Sequence, residues 1–127
     1  MNVLADTHAV LWWFTAPARL SLVAASALKN SDNRIYVSAA VAWELAIKTN
    51  SGRLNAQPLL SSFSRLLFER GFRRLAISTE HAVRAGMLPR HHSDPFDRML
   101  IAQSQALDFA IISADEALDA YGVRRIW

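Results

Sequence analysis

The chain has 127 residues, of which 52% are apolar, the ordinary size of one domain with enough apolar side chains to bury a core. It contains no cysteine, which excludes disulfide frameworks, thiol nucleophiles and thiolate metal sites, so any metal must be held by oxygen or imidazole. The net charge of +3, from 14 basic against 11 acidic side chains, leans only weakly toward an acidic partner such as nucleic acid.

No apolar run is long enough to cross a membrane, and the start, Met1-Asn2-Val3-Leu4-Ala5-Asp6, lacks the basic residues and long apolar stretch of a secretory signal. The expectation is a cytoplasmic protein without a membrane partner. Arginines cluster at Arg70, Arg73, Arg74 and at Arg124, Arg125, and the planar guanidinium suits phosphate, although a solvated surface explains such clusters equally well.

In chain order, Asn2 to Ala5 reads as a short strand that runs through Asp6-Thr7 into a helix from His8 to Phe14. Ser21 is placed to cap a second helix to Leu28, which the polar cluster Asn30 to Asn33 ends. Arg34 to Val37, β-branched and aromatic, predicts a second strand. Ser38 then caps a helix from Ala39 to about Thr49, stopped by Asn50-Ser51-Gly52. Leu59 to about Glu69 reads as one helix, Leu75 to Ile77 as a third strand, and Glu80 to Ala85 as a short helix after Ser78-Thr79. A loop, Pro89 to Ser93, leads to a helix from Pro95 to Leu107. Ala110 to Ile112 is an all-apolar strand, Asp115 to Ala120 a short helix, and Val123 to Trp127 a last strand.

Apolar strands alternating with helices predict an α/β fold: a mostly parallel sheet, residues 1–127 as one domain, with helices on both faces. In such folds sites lie beyond the carboxyl ends of the strands, where strand order reverses.

Four acids stand where sequence context would bury them or set them at that edge. Asp6 ends the first strand, where its alternative role is to cap the helix that follows. Glu44 lies among Ala39 to Trp43 and Leu45 to Ile47, in a helix apolar on all sides and so expected to be buried. A carboxylate there must be paired, neutral or bound to a cation, and Lys48, one turn on, offers a purely structural pairing. In Asp94-Pro95-Phe96-Asp97, Asp94 reads as the N-cap and Asp97 as the functional acid on the face of Leu100 and Ile101; the reverse assignment stays open. Asp115 follows the strand Ala110 to Ile112, and either it or Ser113 could simply cap the next helix.

Converging carboxylates cannot all ionise without a cation between them. Oxygen ligands point to Mg²⁺ or Mn²⁺, which bind phosphate at open positions and support phosphodiester hydrolysis. Lys48, Arg98 and the arginine clusters are candidates to hold the polyanion, or plain surface charges. His91-His92 with Asp94 lacks the second ligand pair of a zinc site and reads as loop. Trp12-Trp13 and the helix from Leu59 to Phe68 read as core, with apolar surface left over for a partner helix or a second copy.

The blocks Leu4-Ala5-Asp6-Thr7-His8, Val37 to Lys48, Gly52-Arg53-Leu54, His92 to Gln103 and Ile112-Ser113-Ala114-Asp115 together make the sequence similar to the PIN-domain family, and within it to VapC-type toxins. The stretch from Gln57 to Arg74 carries no matching motif. The resemblance implies that Asp6, Glu44, Asp97 and Asp115 are metal-binding acids, with Thr7 and Ser113 as supporting hydroxyls; Ser113 replaces the usual threonine. It further implies dependence on Mg²⁺ or Mn²⁺, RNA as substrate, a homodimer and a cognate antitoxin. Two other classes compete: a phosphate-accepting signalling domain, for which Lys29 and Lys48 stand too early in the chain, and a PIN-like module that binds RNA or protein without cutting.

Overall fold

A computed structural model describes residues 1–127. Five strands, β1 (Asn2–Ala5), β2 (Arg34–Ser38), β3 (Arg73–Leu75), β4 (Ala110–Ile112) and β5 (Arg125–Ile126), form one sheet in the order β3-β2-β1-β4-β5. Every neighbouring pair is parallel. The helices are α1 (Thr7–Thr15), α2 (Leu22–Lys29), α3 (Ala39–Asn50), α4 (Gln57–Leu60), α5 (Phe63–Glu69), α6 (Thr79–Met87) and α7 (Pro95–Leu107). Short 3₁₀ turns cover Pro17–Arg19 and Glu116–Tyr121. None of these helices is long and apolar enough to cross a membrane.

The chain steps outward from β1 to β3 on one side, then returns past β1 to β4 and steps outward to β5 on the other. With right-handed crossovers, that reversal places helices on both faces of the sheet and opens a crevice beyond the ends of β1 and β4. The core runs through the central strands: Val3, Leu4, Ala5 and Ile111, Ile112 are fully buried, packed by Val10, Val41, Leu45, Leu100 and Ile101 from α1, α3 and α7.

Several elements start where the sequence places a cap. Ser21, Ser38 and Ser78 each accept a hydrogen bond from the first turn of α2, α3 and α6. Other expectations shift. The single helix from Leu59 to Glu69 is two, broken at Ser61-Ser62, where the Ser61 hydroxyl donates to the carbonyl of Pro58 and competes with helix propagation. The third strand lies two residues earlier than Leu75 to Ile77. It is an edge strand, so the exposed Arg73 and Arg74 can take part, and apolar content alone misplaces it. The expected helix after Asp115 is 3₁₀. Helix α3 is not buried on all sides: Trp43 is 61% exposed and rests edge-on against Phe96, because a helix on a sheet needs to cover only one face. Phe68, expected in the core, is 83% exposed, whereas Leu59 and Leu67 are buried.

Candidate active site

Asp6 is the residue after β1. Its side chain caps α1, accepting from the Ala9 N–H at 2.8 Å, yet one oxygen suffices for that bond and the residue is only 6% exposed. The cap read as one alternative from the sequence is therefore present, and a cap at the end of a central strand also faces the crevice. Burial pushes the Asp6 carboxyl up from its ordinary range, against hydrogen bonds from Ser113 and Ala9 that favour the ionised form.

Glu44 reaches the same crevice from α3 and is 3% exposed. Both its oxygens are engaged: the Thr7 hydroxyl donates to Oε1 at 2.5 Å, and the Lys48 ammonium donates to Oε2 at 2.6 Å. The structural pairing with Lys48 is thus present, and it supplies the compensation that a buried carboxylate requires. Thr7 and Lys48 hold Glu44 from opposite ends.

Asp94 caps α7, accepting from the N–H groups of Phe96 at 2.8 Å and Asp97 at 3.3 Å. Asp97, the third residue of α7, turns its carboxylate toward the crevice. Its pKa is pushed up to about 7, by burial first and then by Asp94, Glu44 and Asp6, with His92 pulling the other way.

Asp115 comes from the loop after β4 and caps the final 3₁₀ turn through the Ala117 N–H. Burial raises its carboxyl, but the hydrogen bond from His92, the Ala117 N–H and the charge of Arg125 bring it below the usual carboxylate range. Ser113, fully buried, accepts from the Asp115 N–H at 3.1 Å and also bonds the Asp6 carboxylate, so it links two of the acids.

These four acids line one cleft of about 280 Å³ together with Asp94, Thr7, His8, Trp12 and Lys48. The donor set is carboxylate oxygen, and two members, Asp6 and Asp97, are held toward the protonated form by burial and by their acidic neighbours. That arrangement fits a hard divalent cation, which relieves both penalties at once. Ligands built this way belong to a chemistry of phosphate and water activation.

A PIN domain model matches residues 3–123. The chain belongs to the PIN-domain family. Ribonuclease VapC22 of Mycobacterium tuberculosis is 31% identical over 123 residues, covering 94% of this chain and 92% of that protein. Among solved structures, VapBC2 from Rickettsia felis, bound to a DNA fragment from its promoter, aligns with a TM-score of 0.72 at 12% identity, covering 98% of this chain and 97% of that one. VapBC-1 from nontypeable Haemophilus influenzae aligns at 0.64 and 14% identity, covering 98% and 96%. At such identities these two likenesses concern the fold.

Within this PIN domain, two further residues occupy places that sequence reasoning did not assign. His92, expected to be plain loop, sits between two of the acids: its Nε2 lies 2.8 Å from Asp115 Oδ2 and 3.1 Å from Asp97 Oδ2. Its one signal in the sequence is its closeness to Asp94, and the spacing of zinc ligands does not bring it out. Tyr121 fixes the loop below, accepting from the His92 N–H and donating to the Pro89 carbonyl, each at 2.8 Å.

Arg98, a candidate for gripping polyanion, is committed elsewhere in this PIN domain. Its guanidinium reaches five backbone carbonyls, those of Ala85, Gly86, Leu88, Pro89 and His92, and so ties the loop to the end of α6. Lys48 is occupied by Glu44. Beside the cleft, an open groove of about 500 Å³ is lined by Arg90, His91, His92 and Ser93 with no acid and no apolar residue.

Proposed function

We propose that this PIN domain is a metal-dependent endoribonuclease of the VapC type, the toxin of a toxin–antitoxin pair, acting in the cytoplasm. The observation that carries the reading is the convergence of Asp6, Glu44, Asp97 and Asp115 on one cleft at the switch point of the sheet. The relative named as a ribonuclease at 31% identity over nearly the whole chain supports the same activity.

Asp6, Glu44, Asp97 and Asp115 would hold Mg²⁺ or Mn²⁺. When bound, such an ion supplies Lewis-acid polarisation of the phosphodiester and of an attacking water. The chain's own residues do the rest. Thr7 and Lys48 orient Glu44, Ser113 ties Asp6 to Asp115, and the Asp94 cap aims the first turn of α7 so that Asp97 faces its partners. The burial of Asp6 and Glu44 limits how far bulk water screens their charges. RNA would enter along the open face of the cleft, where the neighbouring groove with Arg90 and His91 favours a phosphate backbone.

The partners of the reading are a cognate antitoxin and a second copy of the chain. Solved neighbours include VapBC complexes and a toxin–antitoxin complex from Klebsiella pneumoniae, which supports an antitoxin for this chain too. The test is end-labelled RNA of mixed sequence incubated with the protein in Mg²⁺ or Mn²⁺. Cleavage is expected with either ion and none with chelator; cleavage that persists in chelator would refute the metal-dependent reading.

A further inference from the structure

His92, Asp97 and Asp115 bring one ligand atom each to within 4.8 Å of the others, the arrangement of a three-ligand metal site with imidazole as the third member. The hydrogen-bond network around the ring argues otherwise. The backbone N–H of Asp94 donates to His92 Nδ1 at 3.2 Å. A nitrogen that accepts carries no hydrogen, so in the neutral ring the hydrogen sits on Nε2, between the Asp97 and Asp115 carboxylates. The Nε2 lone pair needed for ligation is therefore not available. Freeing it requires the hydrogen to move to Nδ1, where it would confront the Asp94 N–H, donor against donor.

That N–H cannot easily turn away. Asp94 is fixed as the cap of α7 and is followed by Pro95, and the His92 backbone is held on both sides, its N–H by Tyr121 and its carbonyl by Arg98. We propose that His92 is a positioning residue of the acidic site: it donates Nε2–H to the carboxylates of Asp97 and Asp115, holds them at ligand spacing, and is not itself a ligand. Asp115 has most to gain. It stands in a loop with its side chain 41% exposed, and apart from the cap bond to Ala117 it is His92 that turns its carboxylate inward. The proposal rests on the reading that these acids hold a divalent ion.

The test uses the whole chain. Nitrogen-edited spectra of the imidazoles without metal, with the His92 signal identified by its loss in His92→Gln, are expected to show the Nε2–H tautomer; the Nδ1–H tautomer would overturn the proposal. In Mn²⁺-loaded wild type, pulsed electron paramagnetic resonance is expected to show no imidazole nitrogen coupling from His92, and a coupling that vanishes in His92→Gln would make it a ligand. Mn²⁺ affinity should fall about tenfold or more in His92→Ala and return to within about threefold of wild type in His92→Gln, whose amide N–H can stand in for Nε2–H. Unchanged affinity in His92→Ala would also overturn the role. If wild type bound no Mn²⁺, the metal reading itself would fail, and the nitrogen spectrum, which needs no metal, tells that failure apart.

Discussion

The backbone N–H of Asp6 donates to the carbonyl of Ile112 at 3.1 Å, one step beyond the last register pair, Ala5 with Ile112. This bond joins β1 to β4 at the point where the strand order turns back, so Asp6 and Ser113 leave the sheet side by side. Asp6 and the loop that carries Asp115 thus start from the most buried strands of the fold.

Under the proposed metal-dependent reading Asp6 and Asp97, both held toward the protonated form by burial, gain most from a cation, and their amide variants isolate that gain with little change of shape. Asp6→Asn and Asp97→Asn should each reduce RNA cleavage by about a hundredfold or more, with melting temperature without metal equal to or above wild type, since an uncharged side chain removes crowding among the acids. Parallel cleavage rates and thermal melts check both halves. A variant that cuts as fast as wild type would remove that residue from the site.

Lys48 balances Glu44, so Lys48→Met leaves a carboxylate that is 3% exposed with the Thr7 hydroxyl as its one donor. Losing one partner of a buried pair should cost about 2–4 kcal/mol in chelator, less the share that water recovers at the partly exposed end of Lys48. Urea unfolding with and without Mn²⁺ measures it, and the gap should narrow with the ion present.

The acids also fix a pH dependence. In chelator, Asp97 binds its proton more tightly when folded, with a pKa of about 7, than unfolded, where 3.8 is the ordinary value, and Asp6 shifts in the same direction. The folded state then holds more protons through that window, so these groups stabilise the chain at its acid end and stability falls as pH rises toward 7. Asp115 and Asp119 are shifted down, and their contribution is lost only as pH drops below 3.8. Melting temperatures in chelator should therefore decline between about pH 5 and about pH 7, and excess Mn²⁺ should abolish the decline. A chelated protein that gained stability over that range would contradict the burial of these acids.

Arg98 holds the loop from Leu88 to His92 through five carbonyls, a geometry a lysine cannot reproduce. Arg98→Lys should cost about 1.5–3 kcal/mol of stability and expose the loop to proteolysis first. Limited digestion followed by mass spectrometry locates the first cut; cutting elsewhere, with stability unchanged, would show that the loop does not depend on this side chain.

Much of this was legible in the residues. Strand β1, the Ser38 cap and the Asp94-Pro95 helix start are local signals, and the acids announced themselves by standing at strand ends or among apolar neighbours. What escaped detection depends on tertiary placement. The exposure of Trp43 follows from which face of α3 meets the sheet, which apolar content cannot tell. Strand β3 is an edge, so charged residues enter it. His92 becomes part of the site only because Tyr121 and Arg98, distant from it in pattern, fix its loop against Asp115. Arg98 reads in the sequence as a polyanion contact or a surface charge, because the carbonyls that engage it, at the end of α6 and in the loop that follows, show no pattern around it.

The most direct test of the central claim is to incubate the purified protein with total cellular RNA in Mg²⁺ or Mn²⁺, beside chelator and Asp97→Asn lanes, and to map every new 5′ end. Discrete ends present with either ion and absent from both control lanes are predicted, and they would also name the target. The same ends in the Asp97→Asn lane would contradict the site, and no new ends in any lane would move this PIN domain from cutting RNA to binding a partner.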